Sequence, residues 1–165
     1  MTINYFAYGS NLASNRLLQR IPGARVRSFA FLEKHQLSFR MNSNDESGKC
    51  DIVITGHSDQ VVPGVVYKIT PDEKLILDEY ESLGVAYFDK TIQVKMPDNS
   101  VIEAITYYGI ITNAKNPPYH WYKEHVLRGA IEHGLPNDHI NWIKDSPSVD
   151  DPDQVRSERE LLIYR

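Results

Sequence analysis

Short blocks of alternating or continuous apolar positions, punctuated by Gly, Pro, Asn and Asp, predict a chain of strands interrupted by a few helices. Ile3, Tyr5, Phe6 and Tyr8 have the β-branched and aromatic character of a largely buried strand. Gly9, Ser10 and Asn11, residues that tolerate positive φ or bond their own backbone, end it in a sharp turn. Leu12, Arg16, Leu17 and Arg20 recur at helical spacing, so the turn leads into a helix whose first N–H groups are unpaired, a place that favours a small anion such as a carboxylate. Ala24 to Phe31 and His35 to Arg40 alternate as half-buried strands do, whereas Met41 to Lys49 lacks an apolar pattern and reads as a mobile loop. Ile52 to Thr55 and Val61 to Ile69 are the next strands, with Pro63-Gly64 marking a bulge or a close backbone approach.

Thr70-Pro71-Asp72-Glu73 carries the signals of a helix start: a capping threonine, a proline at the first helical position and a glutamate three residues after the cap. The helix runs to Glu81 or Ser82, with Ile76, Leu77 and Tyr80 as its apolar face, Asp78 turned to water, and Glu79 and Glu81 on the two borders. Tyr87 to Lys95 and Val101 to Tyr108 form a hairpin about Pro97 to Ser100. A polar loop, Asn113 to Pro118, precedes a second amphipathic helix over Tyr119 to His133, with Tyr122, Val126, Ala130 and Ile131 inward and Gly134 as its cap. Pro136 starts a shorter helix carrying Ile140, Trp142 and Ile143. These elements predict an α+β domain over residues 1–144, with six to seven strands and two or more flanking helices. Residues 145–165, rich in aspartate and proline at first, read as an acidic linker and tail with a loosely docked terminal helix.

The 165 residues suit one domain with a substantial core. A net charge of −4 with interspersed signs provides no basic stripe for nucleic acid. Cys50 is the single cysteine, no leader-like segment opens the chain, and no apolar run reaches the ~20 residues of a bilayer span, so a cytoplasmic location is expected. The histidines lack metal-ligand spacing, no Gly-x-Ser-x-Gly elbow surrounds Ser10, and no nucleotide fingerprint occurs, so neither a metal nor a cofactor is expected.

The stretch most unlike ordinary scaffolding is Tyr5-Phe6-Ala7-Tyr8-Gly9-Ser10-Asn11-Leu12, which read alone is also compatible with a plain strand-to-helix turn. It resembles the signature of the γ-glutamylcyclotransferase family and its AIG2-like relatives. Gly64-Val65-Val66-Tyr67, Leu77-Asp78-Glu79-Tyr80-Glu81, Tyr87, and Asn116-Pro117-Pro118 through Tyr122 to Gly134-Leu135-Pro136 continue the resemblance in order, from Ile3 to about Ile143. It departs at Ser82, where many relatives carry glycine, and in the short Leu83-Gly84 segment before Tyr87. The resemblance implies a small mixed αβ barrel and cyclisation of a γ-glutamyl group to 5-oxoproline without a cofactor. It implies substrate-binding roles for residues 5–12, Tyr87, Tyr108 and Tyr122, although Tyr107 competes with Tyr108 because neighbours on a strand face opposite ways.

The helical wheel leaves Glu79 and Glu81 as alternatives for a proton-shuttling carboxylate; the resemblance selects Glu81. Asp78, Glu79 and Glu81 crowd a helix C-terminus that itself carries partial negative charge, which disfavours the charged form of a carboxyl group there and suits a general base that later returns its proton. The expected partner is thus a small γ-glutamyl compound; a homodimer is compatible with the sequence, and nothing in it requires one. The reading from a different class is a non-catalytic AIG2-like module that keeps the pocket for a ligand or partner.

Overall fold

In the computed structural model, which describes residues 1–165, five strands close into a barrel and two more form a hairpin against its side. The strands are β1 (Ile3–Ala7), β2 (Arg25–Glu33), β3 (His35–Asn42), β4 (Gly48–Ile54), β5 (Val61–Ile69), β6 (Tyr87–Lys95) and β7 (Val101–Gly109). Around the barrel they run in the order β1, β5, β2, β6, β7, and the circuit closes where β7 returns parallel to β1 at the pair Tyr5 and Ile105. Every other pairing is antiparallel, as the connections by hairpin and helix allow. The helices are α1 (Ser14–Arg20), α2 (Pro71–Tyr80), α3 (His120–Glu132), α4 (Asn137–Asp145) and α5 (Gln154–Leu161).

The start of α2 follows from a reciprocal cap. The Thr70 hydroxyl accepts from the Glu73 N–H at 3.2 Å, and the Glu73 carboxylate accepts from the Thr70 N–H at 2.8 Å. Leu77 is buried as expected, but Ile76 and Tyr80 are exposed, so the apolar face of α2 is a single residue wide. Asp78 does not turn to water: it accepts from the Tyr107 hydroxyl at 2.6 Å and pairs with Lys74, which pins α2 to β7. The close approach anticipated at Gly64 is present, because a Cβ there would stand 2.5 Å from the Ala7 carbonyl oxygen and 2.6 Å from the Phe6 ring. The bulge lies on the neighbouring strand instead, between Val26 and Ser28.

The expected loop over Met41 to Lys49 is shorter, since β3 extends to Asn42 and β4 begins at Gly48. Met41 is buried near the turn-ward end of the first of these strands, and Asp45 gathers the turn by accepting from Ser43, Ser47 and Lys49. Asp51 ties this hairpin to the barrel through a 2.6 Å bond from the Gly109 N–H. On α3 the inward side is Trp121, Tyr122, His125, Val126, Gly129 and Ala130; Ile131 is exposed, one position past the stripe. Gly134 adopts φ +63° after the helix, the conformation its lack of a Cβ permits. Residues 145–165 are fastened rather than loose. Buried Asp151 accepts from Trp121 Nε1 at 2.8 Å and from two guanidinium nitrogens of Arg156 at 2.6 Å, and α5 follows directly.

Candidate active site

The turn after β1 is a short 3-10 segment, Ser10–Leu12, stitched by bonds from the Leu12 N–H to the Gly9 carbonyl and from the Ala13 N–H to the Ser10 carbonyl. Because these are its first bonds, the N–H groups of Gly9, Ser10 and Asn11 meet no acceptor within the protein. Gly9 has φ −109°, so a positive φ is not what requires glycine here. Proximity is: a Cβ on Gly9 would lie 2.9 Å from the Cβ of Cys50 on β4.

That turn opens a slot of about 30 Å³ lined by Tyr5, Tyr8, Gly9, Ser10, Asn11, Cys50, Glu81, Tyr87, Tyr107 and Tyr122. The slot has room for a group the size of a carboxylate. It leads into an outer chamber of about 380 Å³, with Ser10, Glu81, Tyr87 and Tyr122 common to both. The chamber walls also carry Arg16, Arg20 and Lys49, three cations against the one carboxylate of Glu81.

Glu81 is the C-cap of α2, its N–H bonded to the Leu77 carbonyl at 2.8 Å. Its Oε1 accepts from the Asn11 amide at 3.0 Å and from the Arg20 guanidinium at 3.3 Å, and Arg20 also donates to Asn11 Oδ1 at 2.9 Å. The carboxylate is thus held between a signature residue of the turn and the last residue of α1. Glu79 is exposed on the helix surface and lines neither slot nor chamber. The acidic crowding read from sequence is relieved in space, because Asp78 is engaged by Tyr107 and Lys74 while Arg20 and Asn11 face Glu81.

The tyrosines are fixed by the backbone around them. The Tyr8 hydroxyl donates to the Tyr107 carbonyl at 2.6 Å, Tyr87 donates to the Cys50 carbonyl at 2.9 Å, and the Tyr122 oxygen accepts from the Cys50 N–H at 3.0 Å. Tyr5 accepts from the Asn11 amide at 2.9 Å and keeps its own O–H free of any protein acceptor. Burial pushes the phenols of Tyr5, Tyr8, Tyr87, Tyr107 and Tyr122 above their usual value, so all five stay neutral donors at physiological pH. Burial also pushes the Cys50 thiol up to about 12, which leaves it unreactive as a nucleophile.

Of the residues expected here, Tyr5, Tyr8, Gly9, Ser10, Asn11, Glu81, Tyr87 and Tyr122 meet at the slot. Phe6, Ala7 and Leu12 do not. Phe6 packs over Gly64 on the other side of β1, Ala7 is enclosed within the strand pairing, and Leu12 packs under Gly129 of α3. Tyr108 is also displaced. Alternation along β7 places Tyr107 beside Tyr5 and α2, and Tyr108 on the opposite side against Phe88 and Lys90. Arg20 and Cys50 were not anticipated as site residues. Arg16 and Arg20 do share one face of a helix that begins just after the signature turn, and that basic spacing was the available signal.

A sequence profile of the AIG2-like family matches residues 61–143. The chain is 30% identical to human gamma-glutamylcyclotransferase over 98% of its own length and 87% of the relative's, and 29% identical to the mouse protein of that name over 99% and 89%. A solved structure of a gamma-glutamyl cyclotransferase superposes with a TM-score of 0.86, covering 99% of each chain at 29% identity.

Proposed function

The chain belongs to the γ-glutamylcyclotransferase family of enzymes, and on that premise we propose that it converts a γ-glutamyl amino acid or amine into 5-oxoproline and the free amine, with Glu81 carrying the protons. The observation that carries the assignment is the placement of Glu81 Oε1, held by Asn11 and Arg20 at the mouth of a slot lined by unpaired N–H groups.

The nucleophile belongs to the substrate, so the protein's task is to fold a flexible glutamyl chain until its α-amine meets its own γ-carbonyl. The free N–H groups of Gly9, Ser10 and Asn11 suit the α-carboxylate, and the Tyr5 O–H suits the oxygen that gains charge as the carbonyl becomes tetrahedral. At neutral pH the α-amine is an ammonium; Glu81 takes a proton from it, and the amine attacks. Glu81 then gives that proton to the departing nitrogen as the C–N bond breaks. A second proton follows the same route as the lactam N–H forms, so the amine leaves as its ammonium and Glu81 ends as a carboxylate.

No helix is long and apolar enough to cross a membrane, and the one cysteine is buried and unpaired. A cytoplasmic location is part of this reading.

Mass-spectrometric detection of 5-oxoproline from a panel of γ-glutamyl amino acids and amines tests it. Wild type should release product, and a folded Glu81→Gln variant should turn over at least about 100-fold more slowly. Equal turnover in the two proteins removes Glu81 as the proton carrier; no product from any substrate removes the reaction.

A further inference from the structure

We propose that the last helix, α5, is a positioning element of the active site, acting through Glu160 and Arg16 on the Ser10 turn; the inference rests on the substrate-binding role assigned above to that turn. Arg16 is the link. Its Nε donates to Ser10 Oγ at 3.2 Å, and one terminal nitrogen meets Glu160 Oε2 at 2.5 Å and His125 Nε2 at 3.1 Å. The arginine side chain is 13% exposed and the glutamate 20%, so the pair is shielded from bulk water far better than an ordinary surface ion pair.

The arrangement is buttressed from two further sides. The His125 ring is fully buried on α3, and its Nδ1 lies 2.5 Å from the Tyr164 hydroxyl, just beyond α5. His125 Nε2 touches both members of the pair, 3.1 Å from the Arg16 nitrogen and 3.3 Å from Glu160 Oε2. Asn15, beside Arg16 on α1, donates to the Ile163 carbonyl at 2.8 Å. Residues 160, 163 and 164 therefore grip α1 and α3 together at the place where α1 leaves the signature turn.

Without Glu160, Arg16 would keep its charge in a shielded position with its main counter-ion gone, and the guanidinium would turn outward toward the chamber it already lines. Ser10 would then lose the one side-chain bond that steadies its hydroxyl. Nothing in α5 reaches the slot itself, so the effect belongs to binding geometry and not to the proton transfers at Glu81.

The test measures hydrogen–deuterium exchange of the Leu12 and Ala13 amides, whose bonds to the Gly9 and Ser10 carbonyls close the turn, and steady-state kinetics for wild type, Glu160→Gln, Ser10→Ala and the double variant, in the full chain. Glu160→Gln should speed exchange at these amides and raise KM about 10-fold with kcat changed less than about 2-fold. In the Ser10→Ala background the same substitution should add little to KM, because the bond it serves is already gone. If Glu160→Gln does not fold, Glu160→Asp, which keeps the charge and shortens the reach, takes its place. Unchanged exchange at Leu12 and Ala13, or additive effects of the two substitutions on KM, overturns the proposal. Faster exchange in a protein that makes no 5-oxoproline leaves the structural coupling standing and removes the reaction assigned above.

Discussion

The Asn11 amide donates to Glu81 Oε1 at 3.0 Å across 70 residues of sequence, and the same amide group donates to the Tyr5 hydroxyl at 2.9 Å. One side chain thus fixes the relation between the base and the strand that ends in the signature turn. Asparagine is suited to this because its two N–H donors and its carbonyl acceptor are all used, the last by Arg20 at 2.9 Å.

Asn11→Asp preserves shape and the bond from Arg20 but replaces both donors by a carboxylate facing Glu81. Two carboxylates at that distance disfavour each other's charge, and the Tyr5 oxygen loses its donor. Turnover should fall at least about 10-fold while KM changes less, because the lost contacts orient the proton carrier. Unaltered kcat in this variant, measured with saturating substrate, would show that Glu81 does not depend on Asn11 for its orientation.

Ser82, the residue after Glu81, has φ +49°. A left-handed conformation costs a residue with a Cβ about 1–2 kcal/mol, whereas glycine's greater freedom when unfolded returns about 0.5–1 kcal/mol of that gain. Strain relief wins, and Ser82→Gly should stabilise the protein by up to about 1 kcal/mol, read as a higher urea midpoint. Because the Glu81 backbone stays bonded to Leu77, activity should hold.

How far these features could be read from sequence depended on whether their cause was local. The start of α2 is written in four adjacent residues, and the structure forms the cap they specify. Gly134 and the β6–β7 hairpin are similarly local. Tyr107 and Tyr108 were harder, since either phase of β7 buries a tyrosine, and only the position of α2 decides which one meets Asp78. The placement of Glu81 between Asn11 and Arg20, and of Glu160 on Arg16, joins residues 61 to 144 positions apart with no periodic trace in the chain. For the same reason the segment after Asp145 looked like a linker: its order comes from single polar contacts to α1 and α3, which no apolar stripe announces.

The outer chamber carries Arg16, Arg20 and Lys49 against Glu81 alone, while the Asp45 and Glu160 partners of Lys49 and Arg16 stand outside its lining. A departing amino acid brings a carboxylate into this field; a simple amine brings none. γ-Glutamylalanine should therefore show a KM roughly 10-fold below that of γ-glutamylethylamine at low salt. The gap should narrow as ionic strength rises and the Debye length shortens. A gap that is absent, or indifferent to salt, would mean that these cations serve only their internal partners.

Acid should unfold this protein in two stages. Burial lowers the affinity of the His125 and His139 rings for protons, His139 to about 4, from an ordinary value of 6.5. A base whose folded value is depressed supports the fold above its unfolded value and loses that support as pH falls, so stability should begin to decline below about 6.5. Glu160 adds the second stage. Burial alone would raise its carboxyl, but the bonds from His125 and Arg16 outweigh burial and hold it at about 2, below its ordinary 4.5. An acid with a depressed folded value gives its full support above its unfolded value, and that support disappears between about 4.5 and 2. Thermal unfolding followed by circular dichroism across this range should show Tm starting to fall below about pH 6.5 and continuing to fall between about 4.5 and 2. Glu160→Gln should start from a lower Tm at pH 7 and lose less Tm than wild type between about pH 4.5 and 2, because one of the groups whose protonation drives that loss is gone. If its curve stays as steep as that of wild type below pH 4.5, the acid sensitivity resides elsewhere, with Asp151, which the Arg156 guanidinium also holds at about 2, as the next residue to replace.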